Sequence, residues 1–316
     1  MTYSEQQKNK KIHILPNELF DDPGNGVFHV KDRLTGKIKP LYLSFVLKER
    51  KLNLWKEIRD DAIAYFEKND IEWHRDVNDE PETGPEGHLL SSNIACVNHL
   101  FYLRQYPDLV ALVLKNIDER IIDAEILDDG YIEFEVMDGK NTINPLHEKS
   151  KKRKRGSKST SVDAVMLGKK NDGKNILVLI EWKYTENGYG TESKFIAKDD
   201  YHKNYIDMLI DKKCPIDSPE NFKKLFFEPY YQLMRQTLFG WKMIEASEYN
   251  CDEFLCLHIV PGENVEFRQN SRDWIKFLKE QYKKNYKIIS PKEFLKPIFN
   301  EQNTGLFIDY LRKRYW

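Results

Sequence analysis

Residues 161–188 read SVDAVMLGKKNDGKNILVLIEWKYTENG. Two runs suited to strands, 162–169 and 174–184, flank Asn171-Asp172-Gly173, and Gly173 stands where a three-residue hairpin loop commonly needs a left-handed residue. With that loop Lys170 pairs with Lys174, and counting outward sets Asp163 opposite Glu181. Opposed residues share a face, with Cα atoms roughly 4.5–5.5 Å apart. Lys183, two residues past Glu181, returns to the same face about 6.5–7 Å along the strand. Two acids directly opposed should destabilise a hairpin. Beside so apolar a strand, the pair is more easily understood around a divalent cation.

Magnesium takes oxygen ligands and keeps several waters, so Asp163, Glu181, the main-chain carbonyl of Trp182 and a substrate phosphate would suffice to hold it. Manganese can substitute. Such a centre suits phosphodiester hydrolysis. The cation lowers the pKa of bound water and neutralises charge developing on phosphate, while Lys183 positions the water or stabilises the transition state. The bland alternative is a solvent-facing charged strip in which Lys183 pairs with either acid for little stability.

Upstream, residues 149–158, KSKKRKRGSK, hold seven basic residues in ten and no apolar one. Such a run is exposed. It is a solvated loop or, placed just before Asp163, a grip on a phosphate backbone, with Lys151, Lys152, Arg153, Lys154, Arg155 and Lys158 as the contacts. Further out, residues 117–137 hold a β-like stretch, and 131–136, YIEFEV, alternates acid and apolar after Asp129-Gly130. Residues 89–105 read as a helix with Ser91 or Ser92 as cap and Pro107 beyond its end. Residues 40–73 fall near a 3.6-residue period and read as helical, and 76–88 as a loop. Downstream, 201–209 and 229–246 read as helices, 254–260 as a buried strand, and 271–316 as helical around 274–282 and 306–315.

Composition fits a folded chain: 40% hydrophobic and 13% aromatic residues outweigh a charged content of 32%. A net charge of −1 over 316 residues says nothing about partners, because the basic run is local. No apolar stretch reaches the roughly 18–20 residues of a membrane span, and residues 1–11 lack the apolar core of a signal peptide, so a cytoplasmic protein without membrane contact is expected. Cys96, Cys214, Cys251 and Cys256 have no metal-ligand spacing and read as reduced, buried thiols. Asn98-His99 and His147-Glu148 lack partner histidines for another nuclease chemistry, and Tyr230 and Trp241 read as core.

Asp163 followed by Glu181-Trp182-Lys183 resembles the D…(D/E)xK signature of the PD-(D/E)xK nuclease superfamily. Leu90-Ser91-Ser92-Asn93, the basic run, Ser161-Val162-Asp163-Ala164 and residues 180–186, IEWKYTE, are similar to a bacterial group described as restriction endonucleases. The resemblance covers about 89–260. It implies an α/β, restriction-endonuclease-like mixed sheet flanked by helices, with helical extensions at 1–88 and 263–316 around a core at 89–262. It also implies a magnesium-dependent endonuclease, acting on DNA with RNA left open, in restriction or phage defence. Cutting two strands would suit a homodimer. Gln232 is similar to the glutamine often found on the helix after the motif lysine. Val162 departs from the usual proline, and 89–105 lacks the glutamate that the first core helix often supplies. Glu133, Glu135 or Glu86 could replace it, with Glu135 favoured. The rival class is a nucleic-acid-binding module that kept the fold and lost catalysis.

Overall fold

A computed structural model describes residues 1–14, 19–31, 35–73, 84–137, 155, 160–186, 201–217 and 222–316. The elements in chain order are α1 (Tyr3–Ile14), β1 (Gly26–Lys31), β2 (Ile38–Leu43), α2 (Arg59–Lys68), α3 (Ser92–Leu100), α4 (Pro107–Ile117), β3 (Ile121–Glu125), β4 (Glu133–Val136), β5 (Val162–Lys170), β6 (Asn175–Trp182), α5 (Tyr201–Leu209), α6 (Tyr230–Glu245), β7 (Glu253–Ile259), α7 (Val265–Arg272), β8 (Tyr286–Ile289), α8 (Pro291–Leu295) and α9 (Gly305–Arg314). The chain divides into two compact units, Met1–Tyr102 with Phe299–Trp316, and Leu103–Ile298.

In the first unit β1 and β2 form an antiparallel pair, Gly26 opposite Leu43. The single helical stretch expected over 40–73 is therefore corrected to a strand, a 3-10 turn at Arg50–Asn53 and the helix α2. Leu43, Phe45 and Leu47 fit a period of two as well as one of 3.6, and the strand partner decides between them. The helix expected over 89–105 is α3 followed by a 3-10 turn, and Ser91 caps it by accepting the Ile94 N–H at 3.2 Å. Asn98 bonds Asn53, Trp55 and Tyr315. His99 is buried against the Ala95 carbonyl, its pKa pushed down to about 3 chiefly by burial. The Asn98-His99 pair is thus core, not chemistry.

The second unit is built on a six-stranded mixed sheet ordered β3-β5-β6-β7-β8, with β4 paired to β5 beyond the end of β3. The β5–β6 hairpin has the register counted from the sequence, from Lys169 opposite Asn175 to Ala164 opposite Ile180. Gly173 turns it at φ +86°, and the Lys170 N–H donates to the Lys174 carbonyl at 2.8 Å. β7 then lies parallel to β6, and β8 parallel to β7. β8 corrects the expectation that 271–316 holds helices alone. The helix α4 lies in a stretch to which the sequence assigned no element. Pro107, read as terminating a helix, opens one at its first turn, where its missing N–H costs nothing; Leu109, Val110, Val113, Leu114 and Ile117 form its buried face. Asp108, its acid, is exposed. All four residues of β4 are buried, so the expected alternation of a wet acidic face and a dry one does not hold there. Glu133 tolerates burial because the Arg104 guanidinium meets it at 2.8 Å. All four cysteines are free and buried.

α6 packs on β6 and β7 along one stripe, since Gln232, Gln236 and Gly240 recur every four residues. A Cβ built at Gly240 would stand 2.6 Å from Leu179 Cδ1 and 2.6 Å from Phe254 Cδ2. Glycine here sets how closely the helix approaches the sheet. Gly240→Ala is expected to destabilise the protein by about 1–3 kcal/mol through overpacking, despite alanine's better helix propensity, and urea unfolding monitored by circular dichroism measures it. A stabilised variant would mean that the helix is free to move outward.

Candidate active site

Leu179, Glu181 and Lys183 alternate onto the face of β6 that α6 covers. Glu181 is 4% exposed and both of its carboxylate oxygens accept hydrogen bonds. Oε1 accepts from Lys183 Nζ at 2.5 Å and from Gln232 Nε2 at 2.5 Å, and Oε2 accepts from Gln236 Nε2. Behind Gln236, its Oε1 meets His258 Nε2 at 2.8 Å, and His258 is the β7 residue paired with Glu181. The Lys183 backbone N–H continues the parallel ladder to the Ile259 carbonyl at 2.9 Å, which fixes the root of its side chain.

Asp163 sits one residue past the last position at which β5 pairs with β6. Its Oδ2 accepts the Trp182 N–H at 2.7 Å, so the strand end is closed by a side chain in place of a ladder bond. Burial, then the charges of Glu181 and Glu135, push its carboxyl well above the usual carboxylate range, and Lys183 and the Trp182 N–H pull against them without prevailing. The physical content is crowding of like charge in a poorly hydrated place. Glu135, at φ +48°, accepts the Ser161 hydroxyl on Oε2 at 2.9 Å.

The structure thus brings together Asp163, Glu181, Lys183 and Gln232, as the sequence grouped them. Among the described residues no three His, Cys, Asp or Glu side chains are gathered tightly enough to hold a metal ion. Glu135 acts on Asp163 through its charge. Glu86 lies in the first unit, where its carbonyl accepts from Asn53, and Glu133 is committed to Arg104. Of the basic run, Lys151, Lys152, Arg153, Lys154 and Lys158 lie outside the described residues, as does His147. Arg155 turns inward, bonding the carbonyls of Phe134 and Glu135, with Glu133 at 3.7 Å. Its expected place among the nucleic-acid contacts is corrected to a tie across β4, because its guanidinium donates to two main-chain carbonyls of that strand.

Sequence reading missed three residues here. Gln236 was detectable as the position one helical turn after Gln232. His258 was masked by its apolar strand, FLCLHIV. Glu228, just before α6, has its pKa raised by burial against the pull of Lys183, and its Oε2 is buried without a partner among the described residues.

A family model described as Restriction Endonuclease associating with ARP matches residues 34–316. The chain belongs to this family. The mixed sheet with its packed helices is accordingly the restriction-endonuclease-like fold, and the D…ExK residues of this family member lie where its strands β5 and β6 end together. No curated protein and no solved structure matches the chain. Among the described residues no helix is long and apolar enough to cross a membrane.

Proposed function

We propose that this restriction-endonuclease family member is a metal-dependent endonuclease acting on DNA, with its centre at Asp163, Glu181 and Lys183. The observation that carries the reading is the convergence of Lys183 and two glutamine amides on Glu181, beside an aspartate crowded by like charge. A pair of hard oxygen donors with surplus negative charge fits a magnesium ion that keeps most of its waters. Asp163 and Glu181 would hold it, with the Trp182 carbonyl as a third oxygen. Bound there, the cation supplies Lewis-acid polarisation of phosphate and a more acidic water. The chain's own groups do the rest. Lys183, anchored on Glu181, presents its ammonium to the charge that grows on the phosphate. Gln232 shares that oxygen of Glu181 and restrains its rotation.

Incubation of supercoiled plasmid and single-stranded DNA with Mg²⁺, Mn²⁺ or EDTA tests the reading. Metal-dependent nicking supports it. Salt-sensitive binding with no cutting across substrates, RNA and modified phage DNA included, would turn it into the inactive binding module. The family's description makes restriction of foreign DNA the natural setting, and a homodimer would cut both strands.

Binding to DNA is expected to fall with salt. Replacing Lys151, Lys152, Arg153 and Lys154 by glutamine should lower the slope of log K against log[salt] by about 0.9 for each phosphate no longer neutralised. Fluorescence anisotropy across a salt series measures this, and an unchanged slope would remove the basic run from the interface. Arg155 is kept in that variant because its bonds are internal.

A further inference from the structure

We propose that Gln236 and His258 form a hydrogen-bond relay that locks the carboxylate of Glu181 in place, with His258 held as the neutral tautomer protonated at Nε2. The functional part of this inference rests on the nuclease reading; the tautomer does not.

The polarity follows from donor and acceptor chemistry alone. A carboxylate carries no hydrogen, so Glu181 Oε2 can only accept, as its other oxygen does from the Lys183 ammonium and the Gln232 amide. Gln236 must therefore turn its NH₂ toward Glu181 Oε2, which turns its carbonyl toward His258. A carbonyl can only accept, so the ring nitrogen 2.8 Å away carries the proton. The other nitrogen, Nδ1, is buried and has no partner among the described residues, as suits a bare lone pair better than a second N–H. His258 is 2% exposed, and a ring with one bonded N–H and one bare nitrogen is the uncharged form. The Tyr286 ring stands across it at 5.3 Å, edge to face, and restrains its plane. Each member of the row therefore has one permitted orientation, set by its neighbour.

Gln232 and Lys183 crowd one oxygen of Glu181, and Gln236 alone among the described residues is bonded to the other. Without the relay the Gln236 amide is free to flip and turn its oxygen on Glu181. The carboxylate would then swing about its Cγ–Cδ bond and lose the position it shares with Asp163. Gln236 and His258 are positioning residues in this scheme and touch no substrate.

The test uses the full chain with ¹⁵N-labelled histidine. Long-range ¹H–¹⁵N correlation is expected to show His258 with a protonated Nε2 and an unprotonated Nδ1 from about pH 5 to 8. A protonated Nδ1, or a charged ring in that range, would overturn the relay. In Gln236→Met the tautomers should mix, and an unchanged ring signal would equally count against it. For function, His258→Leu is compared with His258→Gln, whose amide N–H reaches the same carbonyl, after thermal melts confirm that both are folded. Magnesium affinity by calorimetry and plasmid cleavage should each drop about 10–100-fold in the first and recover most of the way in the second. Equal behaviour of the two variants would leave His258 as packing only. Should the wild type neither bind magnesium nor cut DNA, the nuclease reading fails, while the tautomer and its response to Gln236→Met still decide the relay.

Discussion

Asp163→Asn is expected to abolish DNA cleavage, by at least about 10³-fold, while making the metal-free protein more stable. The two effects have one cause. Burial and the charges of Glu181 and Glu135 raise the carboxyl of Asp163 in the folded state. Between the ordinary carboxylate value, about 3.9, and that raised value, the folded protein holds a proton that the unfolded chain has released. Stability therefore falls as pH rises through the window, and at pH 7 the buried carboxyl weakens the fold relative to a neutral side chain. Asparagine removes the charge and keeps an oxygen to accept the Trp182 N–H. In EDTA at pH 7 the variant should melt above wild type, each kcal/mol appearing as about 2–4 °C for a domain of 150–250 residues, and its melting temperature should depend less on pH between 4 and 7. Magnesium should raise the melting temperature of wild type more than that of the variant. A variant that cuts normally would move the catalytic centre elsewhere, and one that melts lower would show that the crowding of Asp163 is relieved by some other partner.

Lys183→Met should also lose activity, by about 10²–10³-fold, but with the opposite effect on stability. Lys183 and Glu181 have side chains only 10% and 5% exposed, and removing one partner of a buried pair leaves the other uncompensated. About 3 kcal/mol is expected, the lower end for such a loss, because Gln232 and Gln236 still donate to Glu181. Adding Glu181→Gln to Lys183→Met should return most of the stability and none of the activity. Urea unfolding of the two variants at pH 7 measures the difference. Stability changes of the same sign in Asp163→Asn and Lys183→Met would contradict the charge arrangement described for the site.

The hairpin was legible because its information is local. A three-residue loop with glycine at its left-handed position fixes the register, and the register fixes which side chains share a face. Gln232 was legible only through family resemblance, and Gln236 would have followed from helix period once Gln232 was placed. His258 reaches the site through the parallel pairing of β6 and β7, a long-range fact that no local pattern encodes. The other differences have the same origin. The strand β2 and the helix α4 lie in segments whose apolar spacing or proline admits two readings, and tertiary partners choose between them. The place of Arg155 was not legible because charge composition reports solvent exposure on average, whereas a single arginine answers to the acceptors beside it, here the carbonyls of Phe134 and Glu135.

The parallel position of β7 also sets a schedule. On a ribosome the β5–β6 hairpin is complete well before Gln236 and His258 have been made, and pairings between distant segments form late in folding. During that interval Glu181 has neither its helix nor its neighbouring strand. On the nuclease reading the growing polypeptide is harmless to the messenger and chromosome beside it, and becomes able to cut only when α6 and β7 have been synthesised.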